Sequence, residues 1–433
     1  MVEADLSQLL GLQPSGEIRW GLARTRRMLA AVGQPHLSFR SLHVGGTNGK
    51  GSVAAMAASV LERGGHRVGL YTSPHLLDFR ERVRVNGVPV DEGRLVEGAH
   101  RLQPLAAELG ATFFETTTAL AFLAFAEAGV DFVVAEVGLG GRLDATNVLL
   151  PDVATITNIA WDHADYLGHS LAAIAGEKAG IAKPGVALVL GRLEPEPARI
   201  VRATAARVGA PVIQIGHDAA VRRIRIRRDA TELEYVGPGS ARALEIDCPL
   251  VGVHQAWNAG VAALALQSLP EPWRPQARWI QEGIAAVRWP GRLQIEEIDG
   301  RTWVFDVAHN TVGVEALAQA LAALDFARPM ALVVAIMGDK SWPEMLPPLL
   351  AVADEAVFTV APSSPPERRW DPESAARSVP GYPVRVIEEF DEALAHAERA
   401  AATVVVTGSN YTVGDAMRHR GAPLNLLQPK AVG

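Results

Sequence analysis

A single cysteine, Cys248, stands in 433 residues, so no intramolecular disulfide forms, and neither a thiolate metal cluster nor a redox pair can be assembled within one chain. That usage suits a reducing interior. Base is not in excess either: 41 Lys and Arg against 48 Asp and Glu give a net charge of −7, which argues against nucleic acid as the main partner. No uncharged apolar run approaches the roughly 20 residues needed to cross a bilayer. The opening Met1-Val2-Glu3-Ala4-Asp5 carries acid where a secretory signal carries base. No membrane partner and a cytoplasmic location are therefore expected. Internal repeats and a coiled-coil seam are also missing, and a monomer is expected.

What remains is ordinary globular composition, 48% hydrophobic and 21% charged, in a chain long enough for two or three domains. Its most informative stretch is His43-Val44-Gly45-Gly46-Thr47-Asn48-Gly49-Lys50-Gly51-Ser52. An apolar run precedes it and a helical run from Ser52 to Glu62 follows, which predicts strand, phosphate loop, helix. Glycines let successive backbone N–H groups converge on phosphate oxygens, the helix N-terminus adds its positive dipole end, and Lys50 supplies a point charge. The loop departs from the standard Walker A pattern, which has glycine where Val44 stands and Ser or Thr where Gly51 stands. A plain glycine-rich turn is the alternative reading of these residues alone.

Apolar runs at Ser41–Val44, Val68–Tyr71, Phe132–Glu136, Val153–Thr157 and Val186–Leu190 alternate with helical stretches such as Thr116–Ala128 and Ala172–Ala179. This alternation is the mark of a parallel sheet covered by helices. Period-two text from Ala219 to Val236 predicts antiparallel strands. Its arginines, Arg222, Arg223, Arg225, Arg227 and Arg228, are balanced by acids in the same hairpin and read as a solvated face. Trp289-Pro290-Gly291-Arg292 breaks the chain after a helical run. Five further strand candidates follow, at Trp303–Val307, Ala331–Ile336, Ala356–Val360, Val384–Ile387 and Thr403–Thr407. The expected architecture is α/β: a P-loop-type nucleotide-binding domain with a mostly parallel sheet over 1–288, a hinge linker at 289–292, and a smaller Rossmann-like doubly wound domain over 293–433.

Polar groups gather just past several of these strands, where ligands collect in parallel sheets. Glu136 ends one strand beside the loop Val137–Asn147 and reads as a metal-bearing carboxylate, with a buried salt bridge as the alternative. His163, in Trp161-Asp162-His163, follows the next strand and would face the same crevice. Magnesium seldom takes histidine, so these residues equally allow manganese. Lys178 lies within an apolar stretch; a salt bridge to Glu177 is one reading. The other is a neutral amine in a hydrophobic pocket, able to take up carbon dioxide as a carbamate and so become an anionic metal ligand.

Taken together, the ordered segments GTNGKGS from Gly46, YTSPHL from Tyr71, RERVRVNG from Arg80, FFETTTALAF from Phe113, EVGLGGRLDATN from Glu136, DH at Asp162, EKAGI from Glu177, PGR from Pro290, DVAHN from Asp306 and GS at Gly408 carry a resemblance. The chain resembles the folylpolyglutamate synthase and dihydrofolate synthase family, a branch of the Mur ligase superfamily. By that resemblance Asn48, Gly49, Lys50, Gly51 and Ser52 cradle ATP, with Asn258, Arg292 and Asp306 reaching the same nucleotide. It implies two magnesium ions bound through Ser73, Glu136 and His163, and a carbamate on Lys178 completing that set. His309 falls where phosphates and the incoming amino acid should meet, and Lys50, Lys178 and His309 form the catalytic group. Phe113, Phe114, Glu115 and Asp144 match positions near the pterin substrate.

The reaction so implied is ATP-dependent addition of L-glutamate to dihydropteroate, to reduced folates, or to both, through an acyl phosphate in the C-terminal glutamate ligase arrangement. Its partners are small molecules. A Mur-type ligase acting on a cell-wall nucleotide precursor, or a nucleotide-binding module without catalysis, are the alternatives. Two departures touch the amino-acid pocket: Thr311 follows DVAHN where the family usually has proline, and Asn410-Tyr411 follows Gly408-Ser409.

Overall fold

The structure, a computed structural model, describes residues 19–422; the acidic opening Met1–Asp5 lies outside them. The first sheet has eight strands: β1 (Arg40–Gly45), β2 (Val68–Tyr71), β3 (Val83–Val85), β4 (Val88–Pro89), β5 (Phe132–Glu136), β6 (Val153–Ile156), β7 (Ala187–Leu190) and β8 (Val212–Gln214), in the order β4-β3-β2-β5-β1-β6-β7-β8. From β2 through β8 the pairing is parallel, and β3 and β4 add an antiparallel edge. Strands covered on both faces must be apolar throughout, which is why β5 reads Phe-Val-Val-Ala-Glu and is buried at every position. Leu42, Val44, Phe132 and Val134 face the helices Lys50–Arg63 and Val253–Gln267. Tyr71, Val133 and Ala135 face Glu92–Leu109 and Phe113–Glu127.

The predicted hairpin after Ala219 is a three-stranded antiparallel sheet, β9 (Ala220–Ile226), β10 (Thr231–Val236) and β11 (Leu244–Cys248), ordered β11-β10-β9. Its arginines meet acids: Arg223 pairs with Glu234 at 2.7 Å and Arg227 with Asp229 at 3.0 Å. The second large sheet holds β12 (Gln294–Ile298), β13 (Arg301–Asp306), β14 (Met330–Val334), β15 (Glu355–Phe358), β16 (Val384–Val386) and β17 (Thr403–Thr407), ordered β12-β13-β17-β14-β15-β16. Helices cover both of its faces.

The sequence reading missed four strands in the two large sheets, β3, β4, β8 and β12, and β11 in the small one, which lies past Val236. β3 and β4 are joined by Asn86-Gly87, and β12 and β13 by Asp299-Gly300, with φ positive at all four turn residues. Asn-Gly and Asp-Gly two-residue turns are strong hairpin signals, so both were legible. The edge strand β8 has only three residues, all half-buried, and gives little pattern to read. Among the described residues, no helix is long and apolar enough to cross a membrane.

Candidate active site

Every loop of interest leaves the carboxyl end of a parallel strand, so the two sheets point their loops at each other. From β1 comes Gly46–Gly49. Gly49 has φ 81° and begins the helix Lys50–Arg63; a Cβ there would stand 2.4 Å from Asn258 Oδ1, so close approach as well as backbone angle demands glycine. Gly51 answers a different need. Its ideal Cβ would lie 2.9 Å from the Trp289 ring, which explains why Ser or Thr does not follow the lysine here.

The loop is pinned from β6. Thr47 N–H donates to the Asn158 carbonyl at 2.9 Å, Asn48 N–H to Asn158 Oδ1 at 2.8 Å, and Thr157 Oγ1 donates to the Asn48 carbonyl at 2.6 Å. Lys50 Nζ curls back onto the Thr47 carbonyl at 2.9 Å. Ser52 Oγ is buried with no hydrogen-bond partner among the described residues. A buried hydroxyl left open one turn into such a helix suits a nucleotide or its cation, because unmade bonds of buried groups are costly.

Lys178 does not pair with Glu177, whose carboxylate takes Arg142 at 2.7 Å. Instead its amine donates to the Gly46 carbonyl at 2.8 Å. Burial, helped by the charge of Lys50, pushes its ammonium down to about 7, so a large fraction is neutral near neutral pH. Glu136 accepts from Ser73 N–H at 3.0 Å. Burial raises its carboxyl, while Lys50, that bond, Arg292 and Arg82 pull the other way. Among the described residues no three His, Cys, Asp or Glu side chains group as a ready metal cluster. Glu136, Ser73 and Ser52 offer the hard oxygen donors that a divalent cation prefers.

Asp162 is where the two sheets' loops meet. Its side chain pairs with Lys340 at 2.6 Å and lies 3.7 Å from His163 Nε2 and 3.8 Å from His309 Nε2. Asn310 donates to Asp162 at 3.2 Å and exchanges amide bonds with Asn48 at 2.8 and 3.1 Å. Burial raises the Asp162 carboxyl, but Lys340 and the histidines outweigh it and hold it well below the carboxylate range. His163 and His309 are each pushed down to about 4, chiefly by burial and then by Lys340. His163 has φ 51°, an uncommon conformation that recurs at functional sites. His309 Nδ1 donates to the Val307 carbonyl at 2.9 Å, which leaves Nε2 with the lone pair.

Asp306 is buried and accepts from Leu293 N–H and Ala308 N–H, both at 2.8 Å, while Arg292 lies close enough to act on its charge. Thr311 is the first residue of a helix capped by Asn310, where an N–H needs no partner and proline is also favoured, so that departure leaves the helix start unchanged.

The four pterin-side residues separate. Phe113 is buried beneath the Arg82 guanidinium at 5.5 Å, and the half-buried Phe114 packs on Tyr71 and Gly138. Glu115 instead closes a capping box with Thr112 and pairs with Arg24 at 3.0 Å. Asp144 accepts from Leu139 N–H and Thr146 N–H, both at 2.9 Å, and fixes the loop after β5. Both carboxylates therefore shape the backbone here.

Lys340 was missed by the sequence reading. The available signal was a lysine in Met337-Gly338-Asp339-Lys340, just past the carboxyl end of β14. Asn310 was inside a quoted motif but given no role.

Residues 44–266 match the Mur ligase middle domain, and 291–410 match the Mur ligase glutamate ligase domain. The chain is 35% identical over 403 residues to the folylpolyglutamate synthase of Lacticaseibacillus casei, covering 90% of this chain and 91% of that protein. It is 33% identical over 404 residues to the dihydrofolate synthase/folylpolyglutamate synthase of Escherichia coli, covering 93% and 92%. A solved Mycobacterium tuberculosis folylpolyglutamate synthase complexed with ADP and AMPPCP superposes with a TM-score of 0.88 at 34% identity, covering 98% and 99%. An Escherichia coli FolC structure in complex with DHPP and ADP gives 0.86 at 32% identity, covering 97% and 98%.

Proposed function

The chain belongs to the folylpolyglutamate synthase and dihydrofolate synthase family of Mur ligases, and on that premise we propose how its cleft makes an amide bond. It is an ATP-dependent glutamate ligase. A carboxylate is a poor electrophile, so the γ-phosphoryl group of ATP first moves to the substrate carboxylate and ADP departs. The glutamate amine then attacks the acyl carbon, the C–N bond forms, and inorganic phosphate leaves.

Two anions approach in the first step, and their repulsion must be cancelled. Lys50, the backbone N–H groups of the loop and Arg292 supply positive charge, with Asn258 and Asp306 placing the nucleotide and Ser52 closing the cradle. Ser73, Glu136, His163 and a carbamate on Lys178 would hold two magnesium ions, which would supply further charge neutralisation. The partly neutral amine of Lys178 is the form that takes up carbon dioxide. In the second step neutral His309, with Nε2 open, receives the proton that the amine sheds, and Asp162 steadies the resulting imidazolium. Phe113 and Phe114 wall the pterin side. Closure about the linker 289–292 keeps water from the mixed anhydride.

The observation that carries this reading is the seam Asn48–Asn310–Asp162–Lys340, which brings the phosphate loop of one sheet against the strand-end loops of the other. The test is ADP release measured with L-glutamate plus dihydropteroate, and in parallel with tetrahydrofolate. We expect release with both acceptors, as the bifunctional naming of relatives suggests, and none without an acceptor. Release indifferent to acceptor and glutamate would refute it.

A further inference from the structure

One arginine of the antiparallel hairpin departs from the solvated face expected of it. Arg223 and Arg227 meet acids close by, but Arg228, at the turn between β9 and β10, reaches the half of the chain built on the second large sheet. It donates to the Asp325 carbonyl, and its guanidinium lies over the Phe326 ring, 4.8 Å from the centroid. Two apolar side chains join it there. Ile226, half-buried, packs against the core of the second large sheet, and Val251 is buried within that core. Leu250, the residue before, belongs to the core of the first sheet, so the chain after β11 straddles both.

Gly252 N–H donates to Thr231 Oγ1 at 2.9 Å, which ties this crossing to β10, and Gly252 begins the helix Val253–Gln267 that carries Asn258. The small sheet thus connects a foothold on the C-terminal half to a residue beside the phosphate loop. The foothold also stands at the far end of a lever. The helix Thr311–Ala323 has Asn310, a member of the seam, as its N-cap, and its 13 residues span about 20 Å before the chain reaches Asp325 and Phe326. The two ends are held by different forces. Hydrogen bonds and an ion pair hold the seam, and such bonds weaken steeply when their partners turn. The foothold is chiefly apolar burial, which is non-directional and survives a rotation. A rigid helix held in this way opens at its polar end while it turns on the other.

We propose that this foothold is the fulcrum of closure: the C-terminal half stays seated on Ile226, Arg228 and Val251 whether the cleft is open or closed, and swings Asn310 and Lys340 toward the phosphate loop. This role rests on the closure about the linker 289–292 proposed for the ligase. Linker and fulcrum together fix one axis of swing, where the linker alone would leave the C-terminal half free to turn in any direction.

The test joins pairs of surface cysteines in the full chain; the native Cys248 is buried, with 0% exposure, and stays unlabelled. Arg228→Cys with Asp325→Cys places one pair at the foothold. Trp161→Cys with Asp339→Cys places another at the mouth of the seam, next in sequence to Asp162 and Lys340. Each pair is bridged with a short bismaleimide, and glutamate-dependent ADP release is compared with that of the same protein unbridged. Bridging the foothold should leave release within about twofold, while bridging the seam should cut it by about tenfold or more, because a held mouth cannot pass ligands. Asp229→Cys with Asp325→Cys keeps the Arg228 contact, and it decides the matter if the first pair fails to bridge. A larger loss on bridging the foothold overturns the fulcrum, since the tip must then let go in each turnover; closure itself stands if the seam bridge also blocks. Release untouched by either bridge overturns closure and the fulcrum together. No release from the unsubstituted, unbridged chain overturns the ligase reading on which both depend.

Discussion

At the scale of single residues, the cleft is governed by a few charges held where water is scarce. Lys50 acts on Glu136, His163 and Lys178 at once, lowering the proton affinity of each. Its own amine is tethered to the Thr47 carbonyl at 2.9 Å, so it is already poised over the loop. Lys50→Ala should therefore slow ADP formation in a single turnover by roughly 10²–10³-fold or more, the scale of losing one preorganised donor at a developing charge. A variant that keeps near-normal turnover would refute the role. Lys50 was legible because its neighbours in sequence are its neighbours in space. Lys340 was not, since its partner Asp162 lies 178 positions away. Glu115 and Asp144 show what a motif leaves unsaid: a helix cap and a loop turn engage their oxygens, and those bonds are not legible in the sequence.

Among the elements, β1 carries both the loop and a hidden titration. His43 Nε2 lies 2.8 Å from Thr146 Oγ1, and Thr146 in turn donates to Asp144. Thr146 thus accepts from His43, which fixes the proton on Nε2 and leaves Nδ1 bare, buried and without a partner. Burial, with help from Lys183, pushes His43 down to about 3 from 6.5. The folded chain refuses a proton that the unfolded chain accepts, so His43 costs nothing above pH 6.5 and erodes stability as pH falls from there toward 3. His43→Gln, which can keep the donor to Thr146, should lower stability at neutral pH yet flatten the acid slope by about 1.4 kcal/mol per pH unit. Urea unfolding at a series of pH values between neutral and mildly acid checks this; parallel slopes for both chains would contradict it. The same strand shows what periodicity can and cannot deliver. Apolar runs announced β1, β5 and β13 because both faces are covered. The edge strands β4 and β12 carry Pro and Glu, weak strand text, and their Asn-Gly and Asp-Gly turns were the better clue.

For the whole molecule, the decisive feature is that loops from the two large sheets hold each other through buried polar groups. Lys340 and Asp162 are only 9% and 8% exposed at their side chains, so each charge depends on the other. Replacing one partner strands the second in a poorly solvated place, whereas replacing both removes the problem. Asp162→Asn and Lys340→Met should each destabilise the full chain, and the double variant should recover part of the loss. The coupling from a double-mutant cycle on thermal unfolding should then be roughly 1–3 kcal/mol. Strict additivity would mean that the seam transmits nothing between the two halves. Small-angle scattering supplies the second reading. If the seam sets the resting closure about Trp289–Arg292, the double variant has a larger radius of gyration than the unsubstituted chain. It then compacts more when an ATP analogue, a pteroate substrate and magnesium are added, because ligands must do alone what ligands and the ion pair otherwise do together. Equal radii in both states, for both chains, would show that the linker is not a hinge, and the exclusion of water from the acyl phosphate would need another explanation.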